Sequence, residues 1–320
     1  MQTLPISFEG FSEEWIFLVV LYYNTYIPTF KIYKSFFMMS YRFSRLLVYL
    51  FLFSCLACKT TGKMESSQVN WKNIQVLVYT KNGKGFVHDN IPNAVAAFQK
   101  MGKEHGFAVD VSDDPKVFTD DNLRKYAALI FTSTNNEVFD TEQQKVAFMR
   151  YIQSGGGFMG VHSAIGTERN WTWFKQLIGG SFLWHARSQS FKVNVIDAAH
   201  PSVKDVPKVW TRFDECYFSK ELYPGIKVVM AHDVSSLNPN QDTLIKKSMG
   251  SYGNLYPAVW YQDFDGGHVW FTALGHHKED YEKTDLVNHL YQGLHWLVGQ
   301  TKERDLSKAY ATSPQTPVRY

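Results

Sequence analysis

The stretch SGGGFMGVHSAIG, residues 154–166, carries the sharpest structural signal in the chain. Its residues Phe158 to Val161 predict a short buried strand, preceded by three glycines. Small residues on either side of His162, Gly160 and Ala164, permit a tight turn from strand to helix. Such a turn is typical of a nucleophile elbow, which lifts one side chain above the carboxyl edge of a sheet. Because ligands of open parallel sheets bind outside that edge, we predict that His162 faces a substrate.

Upstream of this turn, short apolar runs alternate with helical patterns. The run IQVLVYT at 74–80 is rich in β-branched residues and predicts a buried strand. Helical spacing follows at Val95, Phe98 and Met101, and Gly106 marks a helix end. The pattern then repeats through FAVDV (107–111), AALIFTST (127–134) and TEQQKVAFMRYIQ (141–153). Alternation of strand and helix predicts a parallel sheet covered by helices.

The second half of the domain is richer in strands. Four further strands are predicted at FKVNVI (191–196), IKVVMA (226–231), PAVWY (257–261) and HVWFTA (268–273). The last two flank Asp265-Gly266, a strong hairpin turn. A closing helix presents a stripe of leucines from Leu286 to Leu297 and ends at Gly299. The polar residues 301–320 are expected to trail off as a tail.

The front of the chain has the layout of a lipoprotein signal peptide at residues 38–58. Basic Arg42 and Arg45 precede an apolar stretch too short to cross a bilayer, and Ala57 before Cys58 resembles a lipobox. We expect acylation of Cys58, a polar tether over 59–70, and an exported protein held to the cell envelope by lipid, on the periplasmic side or at the outer membrane. Residues 1–37 are interpreted as an upstream extension before the true start; an interfacial or first membrane segment is the alternative.

Composition narrows the function further. The 33 Lys and Arg against 30 Asp and Glu give a net charge of +3, and the charges are scattered. Nucleic-acid binders need a basic stripe, so DNA and RNA are not expected partners. Three cysteines are too few for a disulfide framework, and Cys216, the one within the domain, is expected to be buried packing.

Six motifs in order resemble the ThuA-like (trehalose-utilisation) family over about residues 74–298. They are GFVHDNIP (85–92), GGGFMGVHSA (155–164), LIGGSFLWH (177–185), AAHP (198–201), DECY (214–217) and ALGHH (273–277). The resemblance implies a domain at 71–300 with a flavodoxin-like, class I glutamine amidotransferase-like fold: an α/β three-layer sandwich with a mostly parallel sheet. His162 stands where those enzymes keep a nucleophilic cysteine, so glutaminase activity is not expected.

The resemblance also implies a set of pocket residues. It points to His162, Glu215, His276 and His88 as catalytic and to His185 as a neighbour that contacts substrate. Adjacent residues on extended backbone point to opposite sides, so at most one of His276 and His277 faces the site; His276 is chosen because it ends a strand. Substrate-binding roles are further assigned to three residues beside these motifs: Ser163, Trp184 and Tyr217.

Two chemistries suit these side chains, and the sequence leaves both open. Histidines near neutral pKa can exchange protons beside a carbonyl, as isomerisation, hydration or β-elimination of a keto-sugar requires. Alternatively, histidines such as His88 and His162 together with Glu215 can bind a divalent metal such as zinc, which polarises the carbonyl. Family resemblance implies a substrate derived from trehalose or another glycoside, in a 3-keto form.

A non-catalytic carbohydrate-binding envelope lipoprotein is the alternative function, and an envelope scaffold is a third. Binding without catalysis needs aromatic faces for a pyranose but no matched histidines. The candidate stacking residues are Trp171, Trp173, Trp184, Trp260 and Trp270. Tryptophans of a hydrophobic core would give the same sequence pattern.

Overall fold

A computed structural model describes residues 69–319 except positions 239, 241, 251, 302 and 303. The predicted extension at 1–37, the signal peptide at 38–58 with Cys58, and the tether as far as residue 68 lie outside the described residues. Across the part that is described, no helix is both long and apolar enough to span a membrane.

The strands of the described residues form a large sheet and a small one. They are Gln75–Tyr79 (β1), Ala108–Ser112 (β2), Ala128–Thr132 (β3), Gly157–Val161 (β4), Ser181–His185 (β5), Gln189–Val195 (β6), Val209–Asp214 (β7), Tyr217–Lys220 (β8), Lys227–Asp233 (β9), Leu255–Phe264 (β10) and Gly267–Thr272 (β11). The large sheet has the order β2-β1-β3-β4-β11-β10-β9-β6-β7, and β5 pairs with β8 separately. Pairing is parallel from β2 to β11 and antiparallel from β11 to β7.

Helices cover both faces of the sheet. They are Ile91–His105 (α1), Asp120–Leu123 (α2), Glu142–Gln153 (α3), Thr172–Ile178 (α4), Asp242–Met249 (α5) and Thr284–Gln300 (α6). Helices α1 and α6 pack on one face in a core that includes Val76 and Val78 of β1. Helices α3 and α4 pack on the other face with Leu77 and Tyr79 of the same strand, as the two-residue repeat of a strand requires. This arrangement confirms the predicted α/β three-layer fold.

Local sequence signals account for the main boundaries. Helix α3 begins in a capping box, because the Thr141 hydroxyl accepts the backbone N–H of Gln144 and the Gln144 side chain returns to the backbone of Thr141. The hairpin predicted between β10 and β11 is confirmed: Phe264 pairs with Gly267, and Asp265 and Gly266 between them have φ of 48° and 90°. Positive φ at both central residues defines a turn whose twist matches the flanking strands.

The end of the chain differs from its prediction. The polar residues 301–320 were expected to trail off, but the described part of this segment packs on the domain. Ala311 is buried, and the Gln153 side chain accepts the backbone N–H groups of Tyr310 and Ala311 at 2.9 Å each. The Trp171 indole donates to the carbonyl of Pro314 at 2.8 Å. Hydrogen bonds to its backbone, together with the burial of Ala311 and the packing of Val318 against the core, hold this segment in place.

Candidate functional site

His162 follows β4 at the carboxyl edge of the sheet. Its φ is 55°, a left-handed conformation that costs energy for any residue with a Cβ. The side chain is fully buried, and its Nδ1 lies 3.0 Å from the carbonyl oxygen of Ala273, just after β11. A carbonyl only accepts, so Nδ1 carries the proton and Nε2 presents a lone pair. The predicted elbow is therefore present, and its ring orientation is fixed by the neighbouring strand.

His88 meets His162 from the loop between β1 and α1. Its Nδ1 lies 3.1 Å from the Ser163 hydroxyl, and that hydroxyl donates its single proton to the carbonyl of Thr134 at 3.2 Å. Nδ1 of His88 must then be the donor to Ser163, which leaves a lone pair on Nε2. His88 Nε2 lies 3.1 Å from His162 Nε2.

Two lone pairs thus face each other across 3.1 Å in a buried setting. Burial, followed by the neighbouring imidazoles, holds the pKa of His162 well below 6.5, and the same causes in the same order lower that of His88 to about 4. Both rings are neutral near pH 7. The Tyr217 hydroxyl lies 3.1 Å from His162 Nε2, but its one proton serves one acceptor at most. A cation between the rings would satisfy both lone pairs at once.

Glu215 and His276 complete the cluster. His276 Nδ1 lies 3.3 Å from His162 Nε2 and 3.1 Å from Oε2 of Glu215, and the same oxygen is 3.8 Å from His162 Nε2. Burial opposes the charge on Glu215, yet hydrogen bonding to His276 and the nearby imidazoles leave its pKa below the usual value. A carboxylate therefore sits beside three imidazoles near neutral pH.

The four side chains suit one divalent metal. Donor atoms of His88, His162, Glu215 and His276 all lie within 4.8 Å of one another. Tetrahedral zinc with bonds near 2.0–2.1 Å holds its nitrogen ligands about 3.3–3.4 Å apart. The observed separations of 3.1, 3.3, 3.1 and 3.8 Å bracket that spacing. Imidazole and carboxylate donors are also the ligands that zinc accepts.

A cavity of about 300 Å³ opens beside the cluster. Its walls contain Ser163, His185, Glu215 and Tyr217, together with His88. The lining that the sequence did not predict consists of Phe86, Asn135, Gly166, Arg169 and Phe182.

His185 enters this cavity from the end of β5. Its Nδ1 lies 3.3 Å from Glu215 Oε1 and 3.2 Å from the carbonyl of Ala186, so this nitrogen is a donor. Its ring stacks on that of Tyr217 at 5.5 Å. Among the described residues Nε2 of His185 has no protein partner within hydrogen-bond distance, and it is left for a ligand.

The structure brings seven of the eight predicted site residues together: His88, His162, Ser163, His185, Glu215, Tyr217 and His276. Trp184 is the exception, because it lies on the opposite side of β5 from His185 and stacks on Phe218 at 5.6 Å. The other four candidate tryptophans are buried in the core, so none offers a sugar-stacking face. Phe86, Phe182 and Tyr217 supply the aromatic surface of the cavity instead.

Residues left out of the predicted site also have clear places. His277 has its ring 4.8 Å from that of His276 and stacks on Phe213 at 5.1 Å; only His276 belongs to the four-residue cluster, which agrees with its choice. Cys216 is a buried free thiol whose pKa is raised by burial. His200 starts a short turn by accepting the backbone N–H of Ser202.

Fold and site together define an α/β sandwich protein with a histidine and carboxylate cluster at the carboxyl edge of its sheet. The ThuA family, described as trehalose utilisation, matches residues 75–297, and the chain belongs to this family. Membership supports a role in carbohydrate utilisation.

Two solved structures share the fold. A ThuA-like protein from Bacteroides uniformis has a TM-score of 0.59 and 20% identity over 74% of this chain and 96% of its own. Another from Parabacteroides merdae has a TM-score of 0.54 and 20% identity over 71% of this chain and 90% of its own. At this identity the likeness concerns the fold alone. No protein of curated function matches the chain.

Proposed function

We propose that the chain is an enzyme that binds one divalent metal, with zinc as the best fit, and uses it on a carbonyl-bearing sugar. The ligands would be Nε2 of His88, Nε2 of His162, the carboxylate of Glu215 and Nδ1 of His276, which would give up the proton it now donates to Glu215. The observation that carries the proposal is the 3.1 Å approach of His88 Nε2 to His162 Nε2, neither of which carries a proton in the tautomers assigned from the other contacts of these rings. A metal bound there would act as a Lewis acid toward a substrate carbonyl.

Proton transfer and oxyanion stabilisation would fall to side chains of the protein. His185 is positioned to move a proton, because Nδ1 is held against Glu215 and Nε2 is left for the substrate. The Tyr217 hydroxyl stays protonated, since burial and then the Glu215 charge raise its pKa well above 10, and it can donate to a developing oxyanion. Proton transfer beside a carbonyl with oxyanion stabilisation is the chemistry of isomerisation, hydration and β-elimination.

The proposed substrate is an oxidised, 3-keto form of trehalose or of another glycoside. Support comes from the carbohydrate role of the family and from the cavity's mixture of aromatic and polar walls. Export as a Cys58-anchored envelope lipoprotein belongs to the same proposal, since such a protein would meet glycosides outside the cytoplasm.

Elemental analysis of the purified full chain tests the metal site, and turnover of 3-keto-glycosides before and after chelation tests the reaction. We expect about one zinc per chain, loss of turnover on chelation and recovery on adding zinc back. His88→Ala should abolish metal retention. His105→Gln, at an exposed histidine of α1, is the matched control and should retain the metal.

The outcomes separate the rival functions. A metal-free protein that still turns over the keto-sugar would reject the metal and leave acid/base catalysis by the same histidines. Sugar binding without turnover in the metal-loaded protein would reject the enzyme in favour of the carbohydrate-binding alternative.

A further inference from the structure

Arg169 places a positive charge in the wall of the cavity. It lies just after the short helical turn that follows His162, and two hydrogen bonds fix the position of its guanidinium. Its Nε donates to the carbonyl of Gly166 at 2.9 Å, and one terminal nitrogen donates to Oδ1 of Asn135 at 2.9 Å. The guanidinium carbon lies 5.2 Å from the ring centre of Phe182. Gly166, Asn135 and Phe182 line the same cavity, so the guanidinium is fixed where a ligand would sit.

The contacts of Arg169 do not neutralise it. Both of its acceptors are uncharged oxygens, and among the described residues no carboxylate lies within ion-pair distance of it. The neighbouring Glu168 is committed elsewhere: it accepts the backbone N–H of Val138 at 2.9 Å and the ammonium of Lys145 at 2.6 Å. Two hydrogen bonds use two of the five N–H groups of a guanidinium and leave three.

Arg169 is only partly buried, so its guanidinium is accessible to a ligand in the cavity, and an anionic ligand would supply the counter-charge that the surrounding residues do not. Guanidinium groups bind carboxylates and phosphates through two parallel hydrogen bonds, which suits the free N–H groups of Arg169. The cavity volume of about 300 Å³ is at the lower limit for ligand sites, so it has room for one sugar ring of a glycoside.

We infer that the cavity takes an anionic sugar derivative, with a carboxylate or phosphate seated on Arg169. The inference deepens the proposed function by naming the charge class of its substrate, and it rests on that function only for the presence of a sugar. A neutral glycoside would leave the guanidinium without a partner. A sugar acid or sugar phosphate would pair with it.

Binding measured by calorimetry tests this with three probes: D-glucose, D-glucuronate and glucose 6-phosphate. We expect the purified chain to bind at least one of the two anions ten-fold or more tighter than glucose, and the better anion identifies the group recognised. Arg169→Gln should reduce that preference to two-fold or less. Arg169→Lys, which keeps the charge but loses the two-pronged geometry, should give an intermediate preference.

Arg187→Gln is the matched control, because Arg187 is exposed and its removal changes net charge equally. It should keep the full preference for the anion. The same series on chelator-treated protein separates this inference from the metal proposal: Gly166, Asn135 and Phe182 hold Arg169, so the preference should persist without metal. Equal affinity for all three probes, or a preference that survives in Arg169→Gln, would overturn the inference.

Discussion

Oδ1 of Asp214 accepts the backbone N–H of His276 at 3.1 Å, although the two residues are 62 positions apart in the chain. The same oxygen accepts the N–H of Glu215 at 2.8 Å, and Oδ2 accepts that of Gly275 at 2.9 Å. One buried carboxylate therefore joins the two segments that carry Glu215 and His276. Arg212, 3.8 Å away, supplies a positive charge beneath it.

Asp214→Asn tests whether this carboxylate holds the two segments together. An amide has one acceptor oxygen, so its NH₂ group would face at least one of the backbone N–H donors that the carboxylate now accepts. We expect zinc affinity, measured by competition with a chromogenic chelator, to fall about 10–100-fold, as for other outer-shell partners. Asp113→Asn, at an exposed aspartate, should leave affinity unchanged. Unchanged affinity in a folded Asp214→Asn protein would show that the two segments keep their register without the carboxylate.

His162→Asn separates strain from chemistry. Asparagine tolerates positive φ better than most residues, so the backbone at φ 55° should be kept. We expect metal affinity to fall by more than the roughly 10–100-fold typical of outer-shell changes. The free energy of unfolding of the metal-free protein, measured in urea, should change by less than about 2 kcal/mol. A metal-free variant that fails to fold would instead show that the ring at 162 is needed to build the elbow.

The sequence predicts those parts of the site that depend only on the local conformation of the backbone. Small residues around His162 and its place after an apolar strand indicate an elbow, and the structure has one. The choice of His276 over His277 rests on the expectation that His276 ends a strand; that reason is wrong, since β11 ends at Thr272 and His276 lies in the loop beyond it, although the residue chosen does join the cluster. The elbow can be predicted because it depends on neighbouring residues alone and not on contacts between distant segments.

Contacts between distant elements are what the sequence pattern hides. Trp184 and His185 are adjacent, and only the pairing of β5 with β8 decides that the histidine faces the cavity while the tryptophan packs on Phe218. From sequence, Asp214 is indistinguishable from a solvated neighbour of Glu215; in the structure the loop at His276 adds two backbone donors to the one from Glu215. No local sequence pattern singles out Arg169, because its position in the site depends on a cavity formed by several separate segments.

Gln153→Ala tests the packing of the terminal segment, which polarity alone did not predict. The side chain of Gln153 accepts two backbone N–H groups at its oxygen and donates to Asp265 at 3.0 Å. Leaving buried donors unmet costs about 1–3 kcal/mol, so we expect a loss of that size in urea unfolding. Gln143→Ala, at an exposed position of α3, should cost less than about 0.5 kcal/mol. Equal effects of the two would mean that the segment contributes nothing to stability.

Cys58→Ser tests the predicted lipid anchor, which lies outside the described residues. Acylation requires the thiol, so the variant should lose incorporation of radiolabelled fatty acid and be released from membranes. Cys55→Ser is the matched control and should still be labelled. Label retained by Cys58→Ser and lost from Cys55→Ser would move the anchor to Cys55.

Part of the chain's acid sensitivity should be traceable to His232, a histidine of β9 outside the site. Burial lowers its pKa from 6.5 to about 3, so the folded chain keeps it neutral while the unfolded chain takes up a proton below pH 6.5. Stability is therefore full above pH 6.5 and is lost as the pH falls toward 3. His232→Leu removes this proton, so the variant should gain on the order of 3 kcal/mol relative to the parent between pH 7 and pH 4. Urea unfolding of both chelated proteins measures the difference, with His105→Gln as the exposed control; parallel pH curves would show that His232 does not set the acid limb.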